Sequence, residues 1–362
     1  RDLGPAVYRI QAGLPVHPNV DPELSQYGRF YLMPYVANEL AKVSITFREE
    51  VAAVPEVDDR EPLIRGAESL PPGGFFTPGP LGADRARNHF ALAGSLGLML
   101  GVAALDGPEG LGSRTEMQYL ALKALLEVTA HRSEGLRERS AAASNPPGLS
   151  GSDGEEQSSG ALALRSRFET DSRNAKLTWL VWSQHGTVMR QTTEHWRSVV
   201  RRELVLPLPA AWVIERDATA WVDLARAHGF VVERLSRPAR VEVGAYPVGL
   251  PDRLPDDLAA DLEIDEAPDA STLLVRSERE FAAGAWVVRS AQPRARLLFT
   301  LLEPWSQDAP LSAGRAEPIG DDGATPIEES FTYPLYRIDA DELLRLRTEI
   351  PDEDGSNRHG RD

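Results

Sequence analysis

The chain has 362 residues, 42% of them hydrophobic, enough for buried cores and, at about 150 residues each, for two domains. Arg and Lys number 39 against 55 Asp and Glu, a net charge of −16 that argues against nucleic acid and anionic membrane surfaces as partners. With no cysteine, disulfides, thiolate nucleophiles and cysteine-ligated zinc or iron–sulfur sites are excluded.

The opening RDLGPAVYRI begins without Met, directly on a strand-like run at residues 6–11, as a piece of a longer protein would. Asp21-Pro22-Glu23 is a helix start, with Asp as N-cap, Pro at the first helical position and an acid in the first turn. The helix should extend to Lys42, with Tyr27, Phe30, Leu32 and Met33 on its buried side, and Pro34 should kink or divide it. A strand is expected at residues 43–47. Residues 52–84, rich in Pro, Gly and acids, read as a long loop.

Residues 85–105, RARNHFALAGSLGLMLGVAAL, carry the longest nearly uninterrupted apolar run. Its uncharged part is shorter than the ~20 residues that span a bilayer as a helix. Gly94, Gly97 and Gly101 weaken a regular buried helix. The run therefore reads as a central strand over residues 90–100, covered on both faces, with Arg85, Arg87, Asn88 and His89 at its polar mouth. Those four are site candidates. The structural alternative is a solvated strand entry, with Arg85 and Arg87 paired to Asp84 or to the acidic segment 52–62.

Ser113-Arg-Thr-Glu116 matches a capping box opening a helix over residues 115–139, with Met117, Leu120, Leu125 and Val128 near one face. Residues 140–160, SAAASNPPGLSGSDGEEQSSG, have the composition of a flexible linker. Short β-type runs follow. They are interrupted by a helix capped by Asp217 and stopped by Gly229, and by a second at residues 292–302. A late strand is expected at residues 333–338. The expected organisation is a domain over 1–139, the linker 140–160, a β-rich domain over 161–350 and a disordered tail over 351–362.

The order of these segments resembles the zinc carboxypeptidases of the carboxypeptidase A type, in a bacterial branch with a β-rich C-terminal extension. YRIQAGLPVHPNVDPEL and YLMPYVANEL resemble the stretch after that family's third zinc ligand. RARNHFALAGSLGLMLG resembles its Arg-Asn-Arg strand that ends in the catalytic Glu. LPAAWVIERDATAWVDLARAHGFVVERLSRPARVEVGAYPV, AGAWVVRSAQPRARLLFTLLEPWSQD and TYPLYRI resemble the extension. The resemblance covers most of residues 1–139 and 161–340.

It implies an α/β fold, the C-terminal portion of a mixed-sheet zinc-carboxypeptidase-like domain followed by a β-rich domain. It also implies zinc, a peptide or protein C-terminus as partner, no membrane span and an extracytoplasmic location. The family's reaction needs a His-x-x-Glu pair and a later His on zinc. A Glu serves as base and then acid on the metal-bound water, and an Arg holds the substrate carboxylate. The His-x-x-Glu pair would fall upstream of Arg1, and the opening RDLG has no His for the third ligand, so no metal ligand is assigned in this chain.

In the match Ser95 stands in the place of the catalytic Glu, with Asp106 and Glu109 as the nearby acids. Gly82 and Ala83 stand where the family has Asn-Tyr. Arg87 and Asn88 are retained and, with Arg85, are the implied carboxylate binders. Two readings follow: a metallocarboxypeptidase-like hydrolase incomplete in this chain, or a pseudo-peptidase that binds peptides or proteins.

His131-Arg-Ser-Glu134 is formally a His-x-x-Glu, but it falls at a helix end where a polar turn is expected anyway. His17 should shape the turn before Asp21, and His185 and His195 fall in surface loops. Trp179, Trp182, Trp196 and Trp212 could form a sugar platform, or more simply pack between sheets. GPEGLGS, residues 107–113, lacks the Lys and spacing of a phosphate loop.

Overall fold

The computed structural model describes residues 8–54, 64–65, 75–102, 109–145, 161–173, 176–182, 187–247, 271, 274–309 and 332–349. Helices and sheets occur together, in keeping with a general α/β class. The chain divides into two compact units, residues 1–144 with 166–202, and residues 145–165 with 203–362. Residues 166–202, expected in the β-rich part, thus belong with the first unit.

The first unit runs β1 (Ile10–Gly13), α1 (Pro22–Tyr27), a π-helical turn (Gly28–Leu32), α2 (Met33–Lys42), β2 (Phe47–Glu49), β3 (Ala52–Val54), β4 (Ile64–Arg65) and β5 (Phe75–Thr77). It continues with α3 (Ala86–Leu92), β6 (Met99–Val102), α4 (Glu109–His131) and α5 (Ser133–Ser144). Four strands follow: β7 (Ala161–Glu169), β8 (Leu177–Trp182), β9 (Val188–Thr193) and β10 (Val199–Pro207). The division between the units falls within β7 and within β10.

β1 is the middle of a three-stranded mixed sheet, parallel to β2 and antiparallel to β6. Alternation sends Ile10 and Ala12 into the core, where Ile10 meets Val36 and Leu40 of α2 and Met117, Ala121 and Val128 of α4. Gln11 and Arg48, partners in the parallel register, lie at the alternate positions.

Asp21 caps α1 as expected, its Oδ1 accepting from the Glu23 and Leu24 amides at 3.0 and 3.2 Å. Pro34 also divides the helix. Its missing N–H and its clash with the carbonyl four residues back are absorbed by the π turn just ahead of α2. The wider turn shifts the helical phase, so Phe30, expected inside, is 64% exposed, while Tyr27, Leu32 and Met33 are buried.

The largest correction concerns residues 85–105. In place of one strand over 90–100, the described residues 85–102 form helix α3, a turn and strand β6. Gly94 ends α3 in the left-handed region, at φ +84. The Gly94 amide donates to Ala91 O at 3.0 Å and the Ser95 amide to Phe90 O at 2.8 Å, the paired bonds of a Schellman stop. A Cβ at Gly94 would also run into Ser144 at the end of α5. Gly94→Ala is therefore expected to cost about 1–3 kcal/mol from backbone strain alone, read as a lowered midpoint in urea unfolding.

Other boundaries moved too. α4 starts at Glu109, so Ser113 sits inside the helix and does not cap it. α5 takes residues 133–144, so the expected linker is helical over its first five residues, and its remainder from 146 to 160 lies outside the described residues, as does the tail from 351. Within residues 52–84, expected as loop, β4, β3 and β5 form a sheet in that order. The strand expected at 43–47 is β2, shifted toward the C-terminus. α4 buries Met117, Ala121, Ala124 and Val128, yet leaves Leu111, Tyr119, Leu122 and Leu126 exposed. No described helix is long and apolar enough to cross a membrane.

The second unit holds β11 (Ala211–Ile214), α6 (Thr219–Ala227), β12 (Glu233–Leu235), β13 (Ala239–Pro247), β14 (Val275–Phe281), β15 (Trp286–Arg289), α7 (Ala295–Leu302), β16 (Thr332–Ile338), α8 (Ala340–Leu343) and β17 (Thr348–Glu349). Seven strands form one sheet in the order β14-β13-β16-β11-β15-β12-β17, and each of its pairings is antiparallel. β11 is buried on both faces. Ala211 and Val213 join a core with Val241, Val243, Val287, Tyr336 and Ile338, while Trp212 and Ile214 alternate to the other side.

The β-type runs expected here and the late strand are present. Gly229 stops α6 with φ +75, as expected. Asp217 does not cap it: the N-cap is Ala218, and Asp217 accepts the Thr219 amide through its backbone carbonyl at 2.9 Å. α7 begins later than expected because Gln292 is spent elsewhere, accepting from the Val231 amide at 2.9 Å and donating to Arg289 O at 2.6 Å.

A buried charge cluster ties this unit together. Glu303, directly after α7, is fully buried. Its Oε1 accepts from Trp212 Nε1 at 2.9 Å and Arg337 Nη1 at 2.7 Å, and its Oε2 accepts from the Tyr246 hydroxyl. Arg337 also donates to Pro207 O. One carboxylate thus joins β11, β13 and β16 to the end of α7. Burial pushes the Glu303 carboxyl up, opposed by the Arg337 charge and by the Tyr246 and Trp212 hydrogen bonds.

Candidate functional site

The expected polar mouth is closed. Arg87, in the first turn of α3, forms an ion pair with Glu50, and the two side chains are only 3% and 4% exposed. Gly13 and Gly79 wall the guanidinium, and a Cβ at either would overlap it. Gly79 also holds φ +126, a conformation that L side chains rarely adopt.

Asn88 is equally committed. Its Oδ1 accepts from the Val16 amide at 2.9 Å, and its Nδ2 faces the carbonyls of Pro80, Leu81 and Gly82, each at 2.9 Å. The side chain stitches the loop after β1 to the loop before α3. Ala83, beside it, is buried.

Arg85 is the N-cap residue of α3 and lies 3.5 Å from Asp84, the pairing anticipated as its structural role. Arg87 has a structural role too, paired with Glu50; residues 55–62 lie outside the described residues. Ser95 lies exposed in the turn after α3. Asp106 and the Glu109 side chain are outside the described residues.

Zinc does not fit the residues described. Ser95, Arg85, Arg87 and Asn88 are not a donor set that zinc takes, and His89, half-buried on α3 beside Phe90, is a single donor among them. Among the described residues no three of His, Asp and Glu converge as a metal group. His17 shapes its turn as expected, Nδ1 accepting from the Asn19 amide at 3.1 Å, though it is buried. His131 is exposed and bonds Glu127 O through Nδ1 at 2.7 Å. His195 is an exposed residue whose carbonyl accepts the Phe76 amide at 2.7 Å, and His185 is outside the described residues.

The first unit does carry a cleft elsewhere. It has a volume of about 160 Å³ and is lined by Tyr8, Arg48, Glu50, Leu177, Trp179 and Trp196 among others. Phe76, Trp179 and Trp196 form the buried cluster beside it, with Phe76 and Trp179 edge to face at 5.3 Å. Trp196 is placed by a bridge to Phe76, whose carbonyl accepts the Arg197 amide at 2.9 Å. Trp179, Trp196 and Trp212 are buried; the Trp182 side chain is outside the described residues.

Arg48 supplies the cation in this cleft, which Glu49 and Glu50 also line. Its guanidinium carbon stands 4.9 Å from the Tyr8 ring centroid. The Gln11 amide, oriented with its oxygen toward the guanidinium, accepts from Nη2 at 2.8 Å and Nε at 3.3 Å. Burial lowers the Arg48 pKa from its ordinary value. Sequence reasoning missed this site. Its one local signal was Arg48 next to Phe47, which packs against the core; the aromatic residues come from distant segments.

Comparison of the chain with protein-family models, curated proteins and solved structures finds no match.

Proposed function

We propose that this chain is a zinc-carboxypeptidase-like pseudo-peptidase, a module that binds peptide or protein without hydrolysing it through the residues described. One observation carries the reading. The two side chains retained from the motif, Arg87 and Asn88, are spent inside the fold, and Ser95 stands exposed in a helix-stop turn. A serine hydroxyl is not a general base at neutral pH, and the Arg87 side chain is 3% exposed, with its guanidinium on Glu50. The binding half of the proposal draws on the exposed apolar side chains of α4, Leu111, Tyr119, Leu122 and Leu126, since such patches mark interaction surfaces. An extracytoplasmic location belongs to the same proposal.

Metal content and peptide hydrolysis test it together. The protein expressed from its complete reading frame is expected to hold substoichiometric zinc and to release no C-terminal residue from Phe- or Leu-terminated peptides. Ser95→Glu should leave zinc content, peptide retention and the melting temperature unchanged, because the position is a solvent-facing turn. Stoichiometric zinc with progressive release of C-terminal residues would establish the hydrolase reading instead.

A further inference from the structure

We propose that the cleft formed by Tyr8, Arg48, Trp179 and Trp196 binds a small aromatic carboxylate. Size sets the class. At about 160 Å³ the cleft is comparable to an engineered cavity of about 150 Å³ that takes benzene, so it admits one ring and not a peptide segment. The walls suit a ring: two indoles and a phenol offer faces and edges for stacking.

Charge sets the functional group. Three cations and two acids meet around β2. Glu49 lies 3.8 Å from Arg29, and Glu50 pairs with Arg87. Arg48 is left over, and no carboxylate pairs with it among the described residues. Its polar neighbour is the neutral Gln11 amide, which takes the Nε hydrogen and one on Nη2. The Nη1 pair and the second Nη2 hydrogen remain for a ligand. A half-buried guanidinium without a counter-charge is unfavourable, and a carboxylate would offset that with bidentate geometry. Of the two acids beside Arg48, Glu50 is held inside the fold by Arg87, and Glu49 is exposed and screened by solvent, 3.8 Å from Arg29. A monoanion is therefore the complement.

This site is separate from the Arg87–Asn88 position, and it stands whether the chain proves to be a pseudo-peptidase or a hydrolase. Phenylacetate is the probe, with phenylacetamide as its uncharged isostere and acetate as its ringless counterpart. Binding is read by tryptophan fluorescence, calorimetry and saturation-transfer NMR on the wild-type protein. Saturable binding of phenylacetate is expected, with the amide and acetate each at least about tenfold weaker, as loss of a charge-assisted bond or of ring stacking implies. Arg48→Gln should weaken phenylacetate about tenfold or more while Arg48→Lys restores part of it, with circular dichroism confirming the fold. The acid–amide comparison on the wild type decides the matter even if Arg48→Gln does not fold. Equal binding of acid and amide, undiminished binding by folded Arg48→Gln, or binding of a Phe-terminated peptide with none of phenylacetate would each overturn the proposal.

Discussion

Arg87→Ala is expected to destabilise the first unit by about 3–5 kcal/mol, because it leaves Glu50 charged and buried without its partner. The truncation also empties the space between Gly13 and Gly79, which adds a cavity cost to the electrostatic one. The effect should appear as a lower urea midpoint and faster hydrogen exchange at β1, whose Gly13 lies against the Arg87 guanidinium. The double replacement Arg87→Met with Glu50→Leu should recover most of the loss, since removing both ions ends the desolvation cost that one alone cannot offset. A solvent-facing carboxylate clamp would behave in the opposite way. Arg87→Ala would then fold with unchanged stability and lose peptide binding, and that result would refute the structural role given to Arg87 here.

Glu303→Ala should cost the second unit a similar amount, about 3–5 kcal/mol, because Arg337 is then left buried beside two donors without an acceptor. Glu303→Gln should cost less, as the amide oxygen still accepts one bond. The same cluster sets an alkaline limit. Burial raises the Tyr246 phenol well above its ordinary value of 10.0, the Glu303 charge raises it further, and Arg337 pulls it back. With the folded value above the unfolded one, the folded state keeps a proton that the unfolded chain releases. The stabilisation is whole below pH 10.0 and falls as pH rises beyond it, by up to about 1.4 kcal/mol per pH unit. Urea unfolding at stepped alkaline pH should show that slope, and Tyr246→Phe should flatten it. A slope unaltered in Tyr246→Phe would assign the alkaline loss to another group.

Arg87 and Glu303 share a pattern that bears on function. Both are charged side chains in motif-like stretches, and both act as internal fasteners. A buried ion pair is no mark of a binding site by itself. The arginine that lines the cleft of the first unit, Arg48, is one that no motif highlighted.

Local rules alone determined several features. Asp21-Pro22 started α1, Pro34 divided the helix, Gly229 ended α6, and the runs that became β11, β13, β15 and β16 read as strands. Each of these depends on a residue and its near neighbours in sequence: a side-chain oxygen two or three amides away, a missing N–H, a left-handed φ, or a two-residue period.

The stretch 85–105 depended on more. Its Ala-Gly-Ser after an apolar turn was a legible helix stop, but an uninterrupted apolar run satisfies a buried strand and a short buried helix equally well. Packing made the choice, with Ser144 filling the space over Gly94 and Glu50 meeting Arg87 from 37 residues away. The cleft is the extreme case, since Tyr8, Arg48, Trp179 and Trp196 share no local pattern. Periodicity and caps report what a residue does to its own segment. Which charges end up paired inside, and which one is left facing a cleft, is decided only when distant segments meet and desolvate one another.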